Sequence, residues 1–144
     1  MSLFDQPALR FYAICASILS LHLIALALWT GTVRVKRAQY VNPEDAKLNK
    51  AKHAEADHDD VQRVKRAHTN AIENFIPFAV VGLLYALTIP SKNGFMIYFA
   101  TFTAARLLHT LFYLWGRQPF RTLMFGVGVL CVIGMSVHIF RVVS

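Results

Sequence analysis

Residues 11 to 33, FYAICASILSLHLIALALWTGTV, run for 23 positions without a formal charge. At about 1.5 Å per residue a helix of that length crosses a hydrocarbon core of roughly 30 Å. The segment therefore predicts a membrane-crossing helix. A cleavable signal peptide is the competing reading, but its apolar part is shorter and leads into a small-residue cleavage site, whereas TGTVRVKR follows here. A retained helix is expected.

The rest of the chain continues the pattern. With 56% hydrophobic and 16% charged residues in 144, a soluble globular domain fits poorly. Further spans are expected at about 62–89, 94–115 and 120–141. The second is unusual, because its purely apolar part, residues 75–89, is too short to cross alone, so RAHTNAIEN must lie partly inside it. The predicted fold class is all-α and integral to the membrane, a bundle of four transmembrane helices in a single domain over residues 1–144.

Nine of the 15 basic residues fall between Arg34 and Arg66, and the GRQPFR turn adds Arg117 and Arg121, against only Arg10, Lys92 and Arg141 at the other ends of the spans. By the positive-inside rule the basic connections face the cytoplasm and both termini face away from it. Clusters that flank apolar spans are explained by topology, so no nucleic-acid partner is expected. Cys15 and Cys131 both lie within spans, where a thiol behaves as a small hydrophobe, and no Cys/His spacing suits a metal. Residues 34–61 read as an exposed cytoplasmic loop with a turn at NPED, whereas IPSKNG and WGRQP are short turns joining antiparallel neighbours.

Two polar faces stand out inside the spans. Arg66, Asn70 and Glu73 fall within about 60° of one another on the second helix, and Pro77 extends that face and predicts a kink. Arg106, His109 and Tyr113 share a face of the third. Antiparallel spans of equal tilt would bring 66 to the depth of 113, 70 to 109 and 73 to 106, which makes Glu73 the expected partner of Arg106. A central Arg costs on the order of 2.5 to 3.5 kcal/mol in a membrane, so a partner is needed. A buried ion pair with packing hydrogen bonds accounts for that pair alone. With Arg34, Arg66 and Arg121 near one boundary, the wider set describes a cationic pocket suited to an anion.

Other polar and aromatic residues carry blander readings. His22 and His138 are expected to be packed or interfacial rather than ligands. Phe95, Tyr98, Phe99, Phe102, Phe112 and Trp115 are expected to face lipid or form an interfacial belt. Gly126, Gly128 and Gly134 are expected to permit close helix approach, since GVG without a preceding strand is no phosphate loop.

The stretches NPED (42–45), VQRVKRAHTNAIENFIPF (61–78), ARLLHTLFYL (105–114) and QPFR (118–121) resemble, in order and spacing, the membrane-associated proteins in eicosanoid and glutathione metabolism, and within them the microsomal glutathione transferase and prostaglandin E synthase branch. The resemblance implies a homotrimer of four-helix subunits with glutathione as cofactor, bound between neighbouring subunits near the cytoplasmic side. It carries glutathione contacts onto Arg34, Arg66, Asn70, Glu73, His109, Tyr113, Arg121 and Thr122, with Arg121 the catalytic residue that stabilises the thiolate. It implies a membrane glutathione transferase acting on hydrophobic electrophiles from the bilayer, with glutathione-dependent peroxidase activity toward lipid hydroperoxides as a further expectation.

Departures from the family pattern bear on which branch applies. Thr69 stands where the prostaglandin synthase branch has Arg, Phe125 where it has Tyr, and Thr122 where it has Ser, which favours the general transferase over an isomerase. Ala71 replaces a frequent acidic residue, and Ala46 stands where the mammalian transferase has an activating cysteine. The alternatives are a prostaglandin-E-synthase-like isomerase or a non-catalytic lipid-binding scaffold. A small multidrug exporter would need a carboxylate in the first span, which has none, and a haem protein would have to use His22, His109 or His138.

Overall fold

A computed structural model describes residues 5–144, so residues 1–4 of the expected domain lie outside it. Four long helices carry the chain: α1 (Pro7–Arg37), α3 (Asp59–Leu87), α4 (Lys92–Leu114) and α5 (Gln118–Val143). Between the first two, residues 38–58 form β1 (Gln39–Tyr40), α2 (Pro43–Leu48) and β2 (Lys52–His53). All four long helices are long and apolar enough to cross a membrane. The protein is a multi-pass membrane bundle.

Local chemistry sets the helix ends. A proline stands in the first turn of α1, α2 and α5, where its missing N–H costs nothing. Asp59 and Asp60 lie in the first turn of α3, favourable to the helix dipole, and the His58 ring accepts a hydrogen bond from the Asp60 backbone N–H at 3.2 Å. Ser91 caps α4 by accepting from the Gly94 N–H at 3.2 Å. Helix α1 closes at Ala38, whose left-handed φ of 48° lets its N–H return to the Arg34 and Val35 carbonyls. Pro77 sits within an uninterrupted α3 and leaves the Glu73 carbonyl without its helical donor.

Helices α3 and α4 form the centre, each touching both α1 and α5, while among the described residues α1 and α5 do not pack on each other. The core is aromatic. Phe78 of α3 stacks on Phe102 of α4 with centroids 4.3 Å apart and planes 5° from parallel, and Tyr12, Tyr85 and Phe99 surround them edge-on or tilted. The Tyr12 hydroxyl donates to the Ala79 carbonyl at 2.7 Å. This corrects the expected aromatic placement: Phe95, Phe99 and Phe102 are buried, Tyr98 and Phe112 half-buried, and only Trp115, 63% exposed, keeps a belt position. His138 packs edge-on against Tyr85 at 5.0 Å, as a packed histidine should.

Small residues on α5 let the bundle close. A Cβ on Gly134 would lie 2.6 Å from the Tyr98 ring, and one on Gly128 would lie 3.3 Å from Arg106 Cδ. Gly126 differs from expectation, since a Cβ there would meet open space.

The polar connection is also more ordered than an exposed loop. Its strands pair in parallel, Gln39 with Lys52 and Tyr40 with His53, and NPED opens a helix rather than a simple turn. Tyr40 and Ala46 are buried within it. Asp57 fixes it to the bundle, accepting hydrogen bonds from Arg34 Nε at 3.2 Å and Lys65 Nζ at 3.0 Å, while Arg37 pairs with Asp60.

Burial pushes the Asp57 carboxyl up, but the hydrogen bonds and charges of Lys65 and Arg34 outweigh it and hold the group below the ordinary carboxylate value. Because the folded value is the lower one, this contact stabilises the loop at every pH above about 3.9 and is lost as pH falls through the folded value. Measured against the intrinsic exchange rate at each pH, the amides of residues 39–54 should lose protection on acidification through that range. At neutral pH Asp57→Asn should reproduce the effect, weakening the loop by about 1 kcal/mol because the two cations remain partly exposed. Unchanged protection in both cases would remove Asp57 as the anchor.

Candidate functional site

The polar groups of α4 are spaced to fall on one buried stripe: Thr103, Arg106, His109 and Thr110, with half-buried Tyr113 beyond them. Arg106 is 3% exposed. Its Nη2 donates to Asn70 Oδ1 on α3 at 2.6 Å and approaches His109 Nδ1 at 3.5 Å. Its stem lies over Gly128, so this one side chain touches α3, α4 and α5. Among the described residues no carboxylate lies within ion-pair distance of it, and its Nε and Nη1, with the Thr110 hydroxyl, have no hydrogen-bond partner there.

The expected Glu73–Arg106 pair is therefore not formed. Asn70 takes the place of Glu73, and Glu73 lies on the exposed face of α3. Equal tilt and a symmetric turn would have matched 106 to 73. The helix ends and the Phe78–Phe102 stack keep close to that register, but Glu73 is turned to the exposed face and the long Arg106 side chain reaches Asn70, about one turn along α3, instead.

Beyond Arg106 the polar cluster runs toward the end of the bundle where α4 gives way to α5. The His109 ring lies 5.9 Å from Tyr113 and 6.3 Å from Phe125, and the Arg121 guanidinium sits 4.7 Å over the Tyr113 ring. That cation–π contact places the Arg121 guanidinium beside the polar stripe of α4. Asn70, His109, Tyr113 and Arg121 of the sequence-derived set thus come together, with Arg106 behind them. Thr122 follows Arg121 on an exposed position of α5.

The remaining three lie apart. Arg34 is turned to Asp57, with its Nε and Nη2 donating to the two carboxylate oxygens at 3.2 and 3.3 Å. Arg66 is exposed, donates to Gln62 Oε1 at 3.4 Å, and lines a groove of about 540 Å³ with Asp57, Gln62, Lys65 and Thr69. Glu73 is exposed among Ile72, Ile76 and Val80. Counted from Leu87 at about 1.5 Å per residue, Glu73 stands about 21 Å from the far end of α3, which is within membrane depth.

One participant escaped the sequence reading: Asp57 was hidden in a mixed-charge run. Arg106 was visible as a buried cation, but its partner depended on which way Glu73 faces and how far the guanidinium reaches, which no local pattern encodes.

Residues 12–141 match the sequence profile of the MAPEG family. Microsomal glutathione S-transferase 1 of Rattus norvegicus is 35% identical over 144 residues, covering 96% of this chain and 93% of that protein. The Homo sapiens protein of the same name is 34% identical over 143 residues, covering 95% and 92%. Prostaglandin E synthase of Equus caballus is 32% identical over 140 residues, covering 96% and 92%.

Proposed function

The chain belongs to the MAPEG family, and on that footing we propose that it is a membrane glutathione transferase, which binds glutathione as its thiol substrate and presents the thiolate to hydrophobic electrophiles. The observation that carries this reading is the cluster of Arg106, Asn70, His109 and Arg121, rich in donors and cations and lacking a carboxylate, at one end of an otherwise apolar bundle. Glutathione carries two carboxylates, an ammonium and a thiol. Arginines suit the carboxylates, and Glu73 suits the ammonium.

The thiol needs separate help. At a pKa of about 8.5 only a few per cent is ionised at pH 7, and lowering it by about two units takes roughly 2.7 kcal/mol of preferential thiolate stabilisation. Arg121, held over the Tyr113 ring, is the group assigned to supply it. The thiolate sulfur then attacks the electrophilic carbon, a carbon–sulfur bond forms, and the leaving group departs with the electron pair.

The split of the site residues supports a homotrimer. Arg66 and Glu73 lie on an exposed face of α3, and a carboxylate at that depth is costly against lipid. A neighbouring subunit on this face would cover it and bring Arg66 and Glu73 of one copy toward the Arg121 cluster of another. The basic connections then face the cytoplasm, and both termini the other side. Phe125 beside His109 offers no hydroxyl, which favours a transferase over a prostaglandin isomerase.

Purified protein in detergent should bind glutathione in a calorimeter and conjugate it to chlorodinitrobenzene. Absence of both binding and conjugation would overturn the proposal.

A further inference from the structure

We infer that Arg106 is a positioning residue that fixes the polarity of two ligand-facing groups, locking the Asn70 amide and the His109 ring as hydrogen-bond donors. The part of this inference that concerns the ligand rests on the glutathione reading above; the part that concerns Asn70 and His109 does not.

A guanidinium has five N–H donors and no acceptor. Whatever meets it at hydrogen-bonding distance must accept. The Asn70 side chain approaches Arg106 Nη2 at 2.6 Å, and the donor-only partner decides an orientation that shape alone leaves open: the oxygen faces Arg106, and the NH₂ is left to donate elsewhere. The same reasoning applies one turn along α4. His109 Nδ1 faces Arg106 Nη2 at 3.5 Å, so that nitrogen cannot carry the proton, which sits on Nε2 across the ring.

The surroundings admit no competing arrangement. Arg106 is buried, no carboxylate reaches it among the described residues, and its stem packs over Gly128. It is therefore held where it can act only through its neighbours. Two neutral side chains that could each accept or donate are set to donate, toward the end of the bundle that carries Arg121. An anionic group such as a carboxylate finds two donors already oriented, without Arg106 touching it.

Three measurements test this. In the unsubstituted protein, nitrogen-15 spectra of labelled histidine should show the neutral His109 ring protonated on Nε2; protonation on Nδ1 overturns the inference, whether or not glutathione binds. Arg106→Met, which keeps an unbranched apolar stem and removes the donors, should let the two tautomers mix. It should raise KM for glutathione about tenfold or more while the thiol titration of bound glutathione is unchanged, and Arg106→Lys should restore part of the affinity.

Asn70→Asp covers the case in which the Met variant does not fold. The new carboxylate accepts from Arg106 and gives it a counter-charge, so the protein should melt at a higher temperature, yet it has no NH₂ to offer and should bind glutathione about tenfold more weakly. A purely structural Arg106 predicts a higher melting temperature with unaltered glutathione affinity, and that outcome also overturns the inference. Absence of glutathione binding in the parent protein would instead defeat the transferase reading and leave the proton position on His109 as the deciding observation.

Discussion

Arg121→Ala should lower conjugation at pH 7 by about ten- to a hundredfold and recover part of the loss as pH rises, because about 1.4 kcal/mol of thiolate stabilisation is about tenfold in population. Arg121 stands on the Tyr113 ring at the mouth of α5, apart from the buried Arg106 and from Arg34, which is bound to Asp57. Its loss should therefore alter the thiol more than the hold on the tripeptide: affinity falls modestly, and the pKa of bound glutathione returns toward about 8.5. Arg121→Lys keeps the charge but not the planar fork and should retain part of the effect. If Arg121 were only a topological anchor, the Ala variant would insert poorly, yet the purified remainder would show the parent's pH profile. That profile would remove Arg121 from the mechanism.

Phe102→Ala should be the most damaging single truncation in the core. Phe102 is 1% exposed, stacks on Phe78 at 4.3 Å and packs against the bare backbone of Gly128. Core Phe→Ala changes in water-soluble proteins cost about 3 to 5 kcal/mol. In a bilayer the separated helix also finds apolar surroundings, so the transfer share shrinks and the lost packing remains, leaving about 2 to 3 kcal/mol. The variant should melt well below the parent in detergent, whereas exposed Trp115→Ala should change stability by no more than about 0.5 kcal/mol. Equal melting of the two variants would contradict the stacked core.

The same residues show what a sequence of this kind discloses. The four spans were legible because a charge-free run such as 11–33 has few other uses. The placement of Phe99 and Phe102 was not. Hydrophobic periodicity separates core from surface only where the solvent is water, and in a bilayer both sides of α4 are apolar, so a buried Phe and a lipid-facing one look alike. The polar stripes on α3 and α4 were legible for the converse reason, since Asn70, Arg106 and His109 have no cause to sit at that depth unless they meet something.

Which of them meet was beyond local pattern. Glu73 faces outward, and the long Arg106 side chain reaches Asn70, about one turn along α3, instead. The order in residues 38–58 was similarly hidden, because two-residue strands and a six-residue helix carry almost no periodic signal, and what fixes them is Asp57 reaching across to Arg34 and Lys65.

The central claim is that this bundle ionises a bound thiol. The direct measurement is the ultraviolet thiolate absorbance that appears when glutathione is added to the purified protein near neutral pH. The account predicts a saturable rise, which tracks binding measured by calorimetry and is abolished in Arg121→Ala. Saturable binding without any thiolate absorbance would contradict it, and would leave a protein that holds glutathione without activating it.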